Sequence, residues 1–422
     1  MIELPTLYEH QTEHKDRARA SLARNHHIIL QASPGVGKTR MSKWILGAGL
    51  NRTPSAHQSG RSLFAVHRRG LVDNATASFD EHPALPHGVI MSDRERAYGY
   101  RLQVASIDTM LRWFIDAGQW RTDITFDLMV WDEIHSHLSK FRSILDVHDA
   151  KREQLGLHPA YVIGLTATPQ CKGLADLFTA IVPGPSTEWL IENKFLSPFR
   201  YFLGKQGQLS KLVKRGGEFT KSSEADAMDG LAGDLVRDWK TYANDAPTVG
   251  FFPHRKHARD AQAKLAEAGV AVEYVDGDTT DDRRREIYRE LERGIIKYIC
   301  NVDVLGRGTD IPIIGCVQLC VAMGSKVAYL QKTGRGSRVH PSKQICTVID
   351  HGGNVERHGL FEDEHLWTID TSTKDACETG TRPTIACPRC KAIYRGGLCK
   401  SCGYEPLGEE RKAQGLVFDG TE

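Results

Sequence analysis

The segment Ala32-Ser33-Pro34-Gly35-Val36-Gly37-Lys38-Thr39 follows the apolar run Ile28-Ile29-Leu30 and precedes an amphipathic stretch, Met41–Leu50. No other feature of the chain restricts its fold as much. Strand, glycine-containing turn and helix in direct succession make a phosphate cradle: the glycines let backbone N–H groups turn inward, and the helix N-terminus adds the positive end of its dipole. Lys38 would contact the β- and γ-phosphates of ATP, and Thr39 would ligate Mg²⁺. The common pattern begins with glycine, where this chain has Ala32.

The rest of the chain supplies the sheet such a loop needs. Short apolar runs alternate with helix-like stretches: Ile28–Leu30, Leu63–Val66, Gln103–Ser106, Leu128–Trp131 and Tyr161–Leu165 in the first half. Thr248–Phe252, Ala271–Tyr274, Tyr298–Val302, Cys316–Cys320 and Ile345–Ile349 repeat that grammar in the second. Near-continuous apolar strands separated by helical crossovers indicate parallel sheets covered on both faces. The predicted fold is α/β: two tandem doubly wound parallel-sheet domains, each binding ligands beyond the carboxyl ends of its strands. A charged helix is expected at Asp281–Arg293, where Ile287 and Leu291 form an i, i+4 apolar pair.

Asp132-Glu133-Ile134-His135 comes directly after the strand Leu128–Trp131. A carboxylate at a buried strand end, about a hundred residues past a phosphate loop, is the usual second anchor for Mg²⁺, which gives Asp132 that role. Glu133 would orient or deprotonate the attacking water.

The 422 residues suffice for two or three domains. An apolar fraction of 40% and a charged fraction of 26% exclude general disorder. No run approaches the roughly 18 apolar residues of a membrane span, and Met1–Pro5 opens no signal-like stretch, so a cytoplasmic protein is expected. With 55 basic against 53 acidic residues the net charge is +2, an unpromising balance for a nucleic-acid partner. Of ten cysteines, Cys171, Cys300, Cys316, Cys320, Cys346 and Cys377 are scattered, most of them in apolar runs that fit small buried hydrophobes.

Taken in order, Gln11, the phosphate loop, Asp132–His135, Thr166-Ala167-Thr168-Pro169, Gly306-Arg307-Gly308-Thr309-Asp310 and Gln331-Lys332-Thr333-Gly334-Arg335-Gly336-Ser337-Arg338 resemble the motif series of superfamily 2 helicases, DEXH branch. Within that branch the chain resembles small phage- and prophage-encoded helicases related to eukaryotic DNA-repair helicases and restriction-enzyme motor subunits. Gly184–Thr187, Asn301–Leu305 and Asp350–Asn354 support the likeness, which covers about residues 5–370.

The resemblance implies two RecA-like domains that hydrolyse ATP in the cleft between them. It implies that Gln11 reads the adenine edge, although Leu7-Tyr8-Glu9-His10-Gln11 departs from the common Leu-Arg-x-Tyr-Gln. The nucleotide would be held by Gln11, by the loop residues Ser33, Pro34, Gly35, Val36, Gly37, Lys38, Thr39 and Arg40, and at its ribose by Asp310. Thr166, Thr168 and Gly308 would couple hydrolysis to movement. Lys38, Asp132, Glu133, His135, Gln331, Arg335 and Arg338 would form the catalytic set, with the two arginines on the γ-phosphate, where a guanidinium fork spreads transition-state charge. Backbone contacts to nucleic acid would come from Arg68, Arg69, Ser106 and Thr109 in the first domain and from His254, Arg255 and Asn301 in the second. After Pro169, Gln170-Cys171-Lys172 lacks the Arg and Asp common in relatives.

Cys387-Pro388-Arg389-Cys390 and Cys399-Lys400-Ser401-Cys402-Gly403 form two Cys-x2-Cys pairs eight residues apart. Four thiolates suit a tetrahedral Zn²⁺, and a segment this small would draw its folding energy from the metal. The expected organisation is domain 1 at 1–203, a basic linker at 204–226, domain 2 at 227–370, a linker at 371–380, a zinc ribbon at 381–406 and a tail at 407–422. The basic linker reads either as a solvated linker or surface hairpin, or as a strip facing nucleic acid. The function expected is an ATP-dependent helicase or translocase on single-stranded or forked DNA, in phage or prophage replication, recombination or repair. The ribbon would be either a contact for nucleic acid or for replication or repair proteins, or a purely structural element, and no membrane is involved. An ATP-gated clamp that remodels nucleoprotein without processive unwinding uses the same residues. A restriction motor is disfavoured by the lack of a nuclease motif.

Overall fold

The computed structural model describes residues 2–305, 311–369 and 384–405. They fall into two units: one built mainly from residues 2–186, the other from residues 187–364 together with the cysteine-rich segment.

The first unit holds strands β1 (His27–Gln31), β2 (Ser62–Val66), β3 (Gly88–Ile90), β4 (Leu102–Ser106), β5 (Ile115–Asp116), β6 (Gln119–Trp120), β7 (Leu128–Asp132), β8 (Tyr161–Thr166) and β9 (Ala180–Pro183). Seven of them form one parallel sheet in the order β3-β4-β2-β7-β8-β1-β9, while β5 and β6 make a small separate hairpin. Side chains alternate across a strand, so each long strand feeds both faces. Ile29, Leu63, Ala65, Met129, Trp131 and Val162 join one apolar core. Their neighbours Ile28, Leu30, Phe64, Val66, Val130 and Ile163 join the other. Trp131 stacks on Phe141 at 4.3 Å between ring centres. This two-sided burial is what the nearly all-apolar strand sequences predict.

The second unit carries β10 (Phe199–Leu203), β11 (Lys214–Arg215), β12 (Glu218–Phe219), β13 (Thr248–Phe251), β14 (Val272–Val275), β15 (Tyr298–Asn301), β16 (Cys316–Leu319), β17 (Cys346–Asp350), β18 (Ile385–Ala386) and β19 (Ala392–Tyr394). Its main sheet runs β14-β15-β13-β16-β17-β10-β19-β18. The first six are parallel, and β19 joins β10 antiparallel with Tyr201 opposite Ile393 and Phe202 opposite Ala392. The expected helix appears at Asp281–Glu292 with Ile287 and Leu291 buried.

Two expectations change. Phe199–Leu203, assigned by sequence to the first domain, pairs with Cys346–Asp350 of the second sheet, which places the boundary near Thr187. The segment 204–226, expected as a solvated linker or surface hairpin, does hold the β11–β12 hairpin, and beyond that expectation it adds a short 3-10 turn and the helix Lys221–Met228. Cys300, Cys316, Cys320 and Cys346 are buried in or beside the strands, where burial raises their thiols far above the usual range and leaves them inert. Cys377 lies outside the described residues. Among the described residues no helix is long and apolar enough to cross a membrane.

Candidate functional site

The phosphate loop leaves the carboxyl end of β1 and enters the helix Lys38–Leu50. Gly35 and Gly37 adopt φ of 83° and 84°, a region open to glycine at little cost. Gly37 is constrained twice, because a Cβ there would lie 2.6 Å from Gln11 Nε2. Gln11 is 3% exposed, donates from Nε2 to Val36 O at 2.9 Å and accepts from Tyr8 N at 3.1 Å. Its carboxamide thus braces the loop, and only one N–H and one oxygen lone pair are left for a base edge. Arg40 donates to Thr6 O at 2.8 Å and lies over the Tyr8 ring, tying the N-terminal segment to the same helix. Lys38 Nζ folds back on the loop carbonyls, 3.0 Å from Ala32 O and 3.4 Å from Ser33 O. Ser33 and Val36 are buried, Pro34 and Thr39 half-buried and Gly35 exposed.

Asp132 ends β7, and its Oδ1 accepts from Glu133 N at 3.0 Å. Burial, then the neighbouring Glu133 charge, pushes Asp132 up to about 7, with Lys38 opposing. Two carboxylates beside one lysine leave a shortage of positive charge, which a divalent cation held by Asp132 and Thr39 would supply. The donor set of oxygen atoms fits Mg²⁺.

Glu133 sits at φ 53°, a left-handed conformation rare for a residue with Cβ. Strain of this kind is kept where the surroundings fix a side chain for use. Glu133 Oε2 lies 3.4 Å from His135 Nδ1, and that nitrogen is 2.8 Å from Thr166 Oγ1. Thr166 Oγ1 in turn accepts from Thr168 N at 3.0 Å. A continuous polar chain therefore runs from the carboxylate expected to handle water to the pair of threonines expected to transmit movement. The residues were singled out in the sequence, but their connection was not visible there.

The expected nucleic-acid contacts are less uniform. Arg68 is exposed as the residue before the helix Arg69–Asp80, whereas Arg69 is paired with Asp93. Ser106 and Thr109 are 9% and 2% exposed, and Thr109 packs into the helix Ile107–Phe114, so it is part of the core there. In the second unit His254 precedes the helix Arg255–Glu267, and Arg255 is held by Asp276 at 3.1 Å and Asp278 at 2.6 Å. Asn301 is 1% exposed and its Oδ1 caps the following turn at Leu305 N, 2.9 Å away, so it shapes the backbone there.

Gln331 lies half-buried on the helix Lys326–Thr333, and Arg335 sits in the 3-10 turn Gly334–Gly336. That turn packs so closely on β17 that a Cβ at Gly336 would meet Cys346 Sγ at 2.2 Å. Ser197 fixes the segment further, donating from N to Ser337 O at 2.7 Å and from Oγ to Arg338 O at 2.8 Å. Gly308 and Asp310 lie outside the described residues.

The sulfur atoms of Cys387, Cys390, Cys399 and Cys402 all lie within 4.8 Å of one another. Cys387 and Cys402 are 3.7 Å apart, Cys390 and Cys399 3.6 Å. Four sulfurs at about 2.3 Å from one tetrahedral Zn²⁺ would stand roughly 3.8 Å apart, so the cluster has the size of a zinc site. Burial raises the Cys387 thiol, but backbone N–H groups of Cys390 and Arg389 outweigh it and bring the group down to about 7.

The family described as "Type III restriction enzyme, res subunit" matches residues 4–171, and "Helicase conserved C-terminal domain" matches residues 234–340. A 51.5 kDa protein of a Lactococcus phage is 27% identical over 91% of this chain and 79% of its own length. IRC3 of Saccharomyces cerevisiae, whose name describes an ATP-dependent helicase, is 26% identical over 83% of this chain, which spans 52% of that protein. Among solved structures, the DUF1998 helicase MrfA bound to DNA has a TM-score of 0.59 with 13% identity, covering 83% of this chain and 50% of MrfA.

Proposed function

This chain carries the paired helicase domains of superfamily 2 in an ATP-dependent helicase, and from that premise we propose a DNA-stimulated motor that moves along one strand of a single-stranded or forked substrate. The observation that carries the reading is the polar chain Glu133–His135–Thr166–Thr168 beside the phosphate loop. It would give the γ-phosphate end of the nucleotide a direct line to the end of β8 at Thr166 and to Thr168 beyond it. ATP would lie along the loop, with Lys38 on its phosphates and Thr39 and Asp132 on Mg²⁺, which neutralises phosphate charge. Glu133 would then accept a proton from the attacking water, and His135 would register the change through its bond to Thr166.

The second unit would contribute Arg335 and Arg338 toward the γ-phosphate and Asp310 toward the ribose. Zn²⁺ is the proposed occupant of the four-cysteine cluster, where it supplies structure and no reaction chemistry. The ribbon would also offer a surface to replication or repair proteins. DNA is proposed over RNA because the family matched by residues 4–171 is described as a restriction-enzyme subunit. A phage or prophage role in replication, recombination or repair rests on the phage relative. The cytoplasm is the proposed location, in a bacterial host.

The test is the ATPase rate without nucleic acid and with single-stranded DNA, duplex DNA, forked DNA and RNA, together with strand displacement from the fork. Stimulation by single-stranded or forked DNA with displacement supports the proposal. Stimulation by RNA alone would reverse the substrate assignment, and stimulation without displacement would favour the clamp.

A further inference from the structure

The second unit has a basic surface that none of the helicase motifs includes. The hairpin β11–β12 and the turn before it carry Lys211, Lys214 and Arg215, all exposed, around the tip Gly216-Gly217. In sequence this is the Gly-, Lys- and Ser-rich stretch between the two halves. Its position in the fold gives it meaning.

The segment is packed down over the carboxyl ends of the second sheet, where an open α/β sheet binds its ligands. Gln206 Nε2 donates to Asp350 O at the end of β17, 3.1 Å away. A Cβ on Gly324, shortly after β16, would lie 2.6 Å from Gly217 O and 2.9 Å from Glu218 Cα, so the hairpin backbone rests directly on that loop. Lys221 reaches Asp303, two residues past β15, at 2.9 Å. Phe219 anchors the underside beneath the Lys214 ammonium at 6.0 Å and the Arg357 guanidinium at 5.0 Å. Three strand ends thus hold the hairpin at the rim.

Charge at this rim is unevenly used. Arg255, the basic group expected to grip a strand, is committed to Asp276 and Asp278, and Lys256 lies 3.6 Å from Asp229. Among the described residues Lys211, Lys214 and Arg215 have no carboxylate partner. Their positive charge is therefore available to a phosphate backbone, while that of Arg255 must first be released.

We propose that the β11–β12 hairpin is a nucleic-acid contact of the second helicase domain, with Lys211, Lys214 and Arg215 on consecutive backbone phosphates. Its ligand is single-stranded DNA, bound without base reading. The inference rests on the DNA-motor reading above. Each phosphate contact releases counterions and contributes about 0.7 to the log–log salt slope on a single strand.

The test compares wild-type protein with a Lys211→Ala, Lys214→Ala, Arg215→Ala triple variant, using a fluorescent oligo-dT strand at several salt concentrations. ATP turnover without DNA and thermal unfolding are measured alongside. The expected result is a salt slope shallower by about 2, binding weaker by tenfold or more at about 0.1 M salt, and unchanged basal turnover and unfolding. Restoration by lysine at Arg215 would mark a charge contact. Equal affinity and slope in the two proteins overturns the hairpin assignment and leaves the motor standing. Failure of the wild type to bind any strand overturns both.

Discussion

With Zn²⁺ as the proposed occupant of the four-cysteine cluster, its removal should weaken the second helicase domain itself as well as the ribbon. The ribbon strand β19 is laid on β10, with Leu203 N donating to Lys391 O at 2.8 Å and Phe202 buried against Cys387, Ala392 and Cys399. Phe202 also stacks on Tyr242 at 4.5 Å, and Arg395 pairs with buried Asp363. A segment of about twenty residues has too little core to hold this arrangement once its four sulfurs lose their common ligand. Its release would re-expose Phe202, about 1.5–3 kcal/mol. Two or so ladder hydrogen bonds would go, about 1 kcal/mol each, and Asp363 would be left without its partner at about 1 kcal/mol more. The sum, about 4–6 kcal/mol, is a large share of the 5–15 kcal/mol typical of a domain. At about 2–4 °C per kcal/mol for a unit of this size, the second unit should melt roughly 10–20 °C lower. Calorimetry of the whole chain before and after chelation, with zinc content measured, reads the shift, and amide exchange of Phe199–Leu203 locates it. Loss of zinc with the second transition in place and β10 amides still protected would refute the coupling. Absence of zinc from the purified protein would refute the site.

Three further perturbations test separate parts of the structure. Lys38→Ala or Glu133→Gln should lower ATP turnover by at least about 100-fold while circular dichroism and unfolding stay as in the wild type, and substantial residual turnover would contradict the assigned roles. Arg152 is 1% exposed and bonded to Asp127 at 2.8 Å, so Arg152→Ala should destabilise the first unit by about 3–5 kcal/mol in denaturant titration; a loss under about 1 kcal/mol would show the pair to be dispensable. Burial pushes Glu362 up to about 7 from 4.5, against the Tyr201 hydroxyl that donates to it. A folded state that holds this proton more tightly than the unfolded chain is most favoured below pH 4.5 and loses stability as pH rises through 7. Glu362→Gln should flatten that part of the pH–stability curve and raise stability at pH 8 by about 2 kcal/mol, and an unchanged curve would remove the assignment.

Local signals made the centre of both sheets easy to read and hid strands such as β3 and β9 in the first and β10 in the second. The phosphate loop, Asp132 and the ten apolar strands announce themselves within windows of eight residues. Phe199–Leu203 did not, since Arg200 interrupts its apolar pattern and its partner strand lies about 150 residues further on. The union of Phe202 with Ala392 spans 190 residues and leaves no periodic trace. The hairpin at 214–219 carries its turn signal, Gly216-Gly217, but its strands, Lys214–Arg215 and Glu218–Phe219, are two residues each and too short for a periodic pattern, so a surface hairpin and a solvated linker read alike there. Arg255 shows the opposite limit. Its place after a strand is legible, yet Asp276 and Asp278 reach it from the loop beyond β14, and only the folded chain brings them together.

Those ion pairs bear on the balance of 55 basic against 53 acidic residues. Arg69 is matched by Asp93, Arg94 by Asp73, Lys140 by Asp108 and Arg255 by two carboxylates, so these basic groups each stand beside acidic charge. Exposed pairs of this kind are worth about 0–1 kcal/mol, so a phosphate can displace the carboxylate at small cost and the carboxylate can return when the phosphate leaves. Each such group, if it met a phosphate, would then contribute the difference between two similar interactions. A group in no ion pair among the described residues, such as Lys211 or Arg215, would contribute more of its interaction, although Glu218 stands across the hairpin from Arg215. A motor needs the two kinds in different proportions: unpaired groups keep the strand from diffusing away, and paired groups let it be exchanged at each step without a deep well to climb out of. A uniformly basic surface would supply only the first kind. With acids standing beside basic groups in this way, near-neutrality is compatible with a polyanionic partner that must be held and released repeatedly.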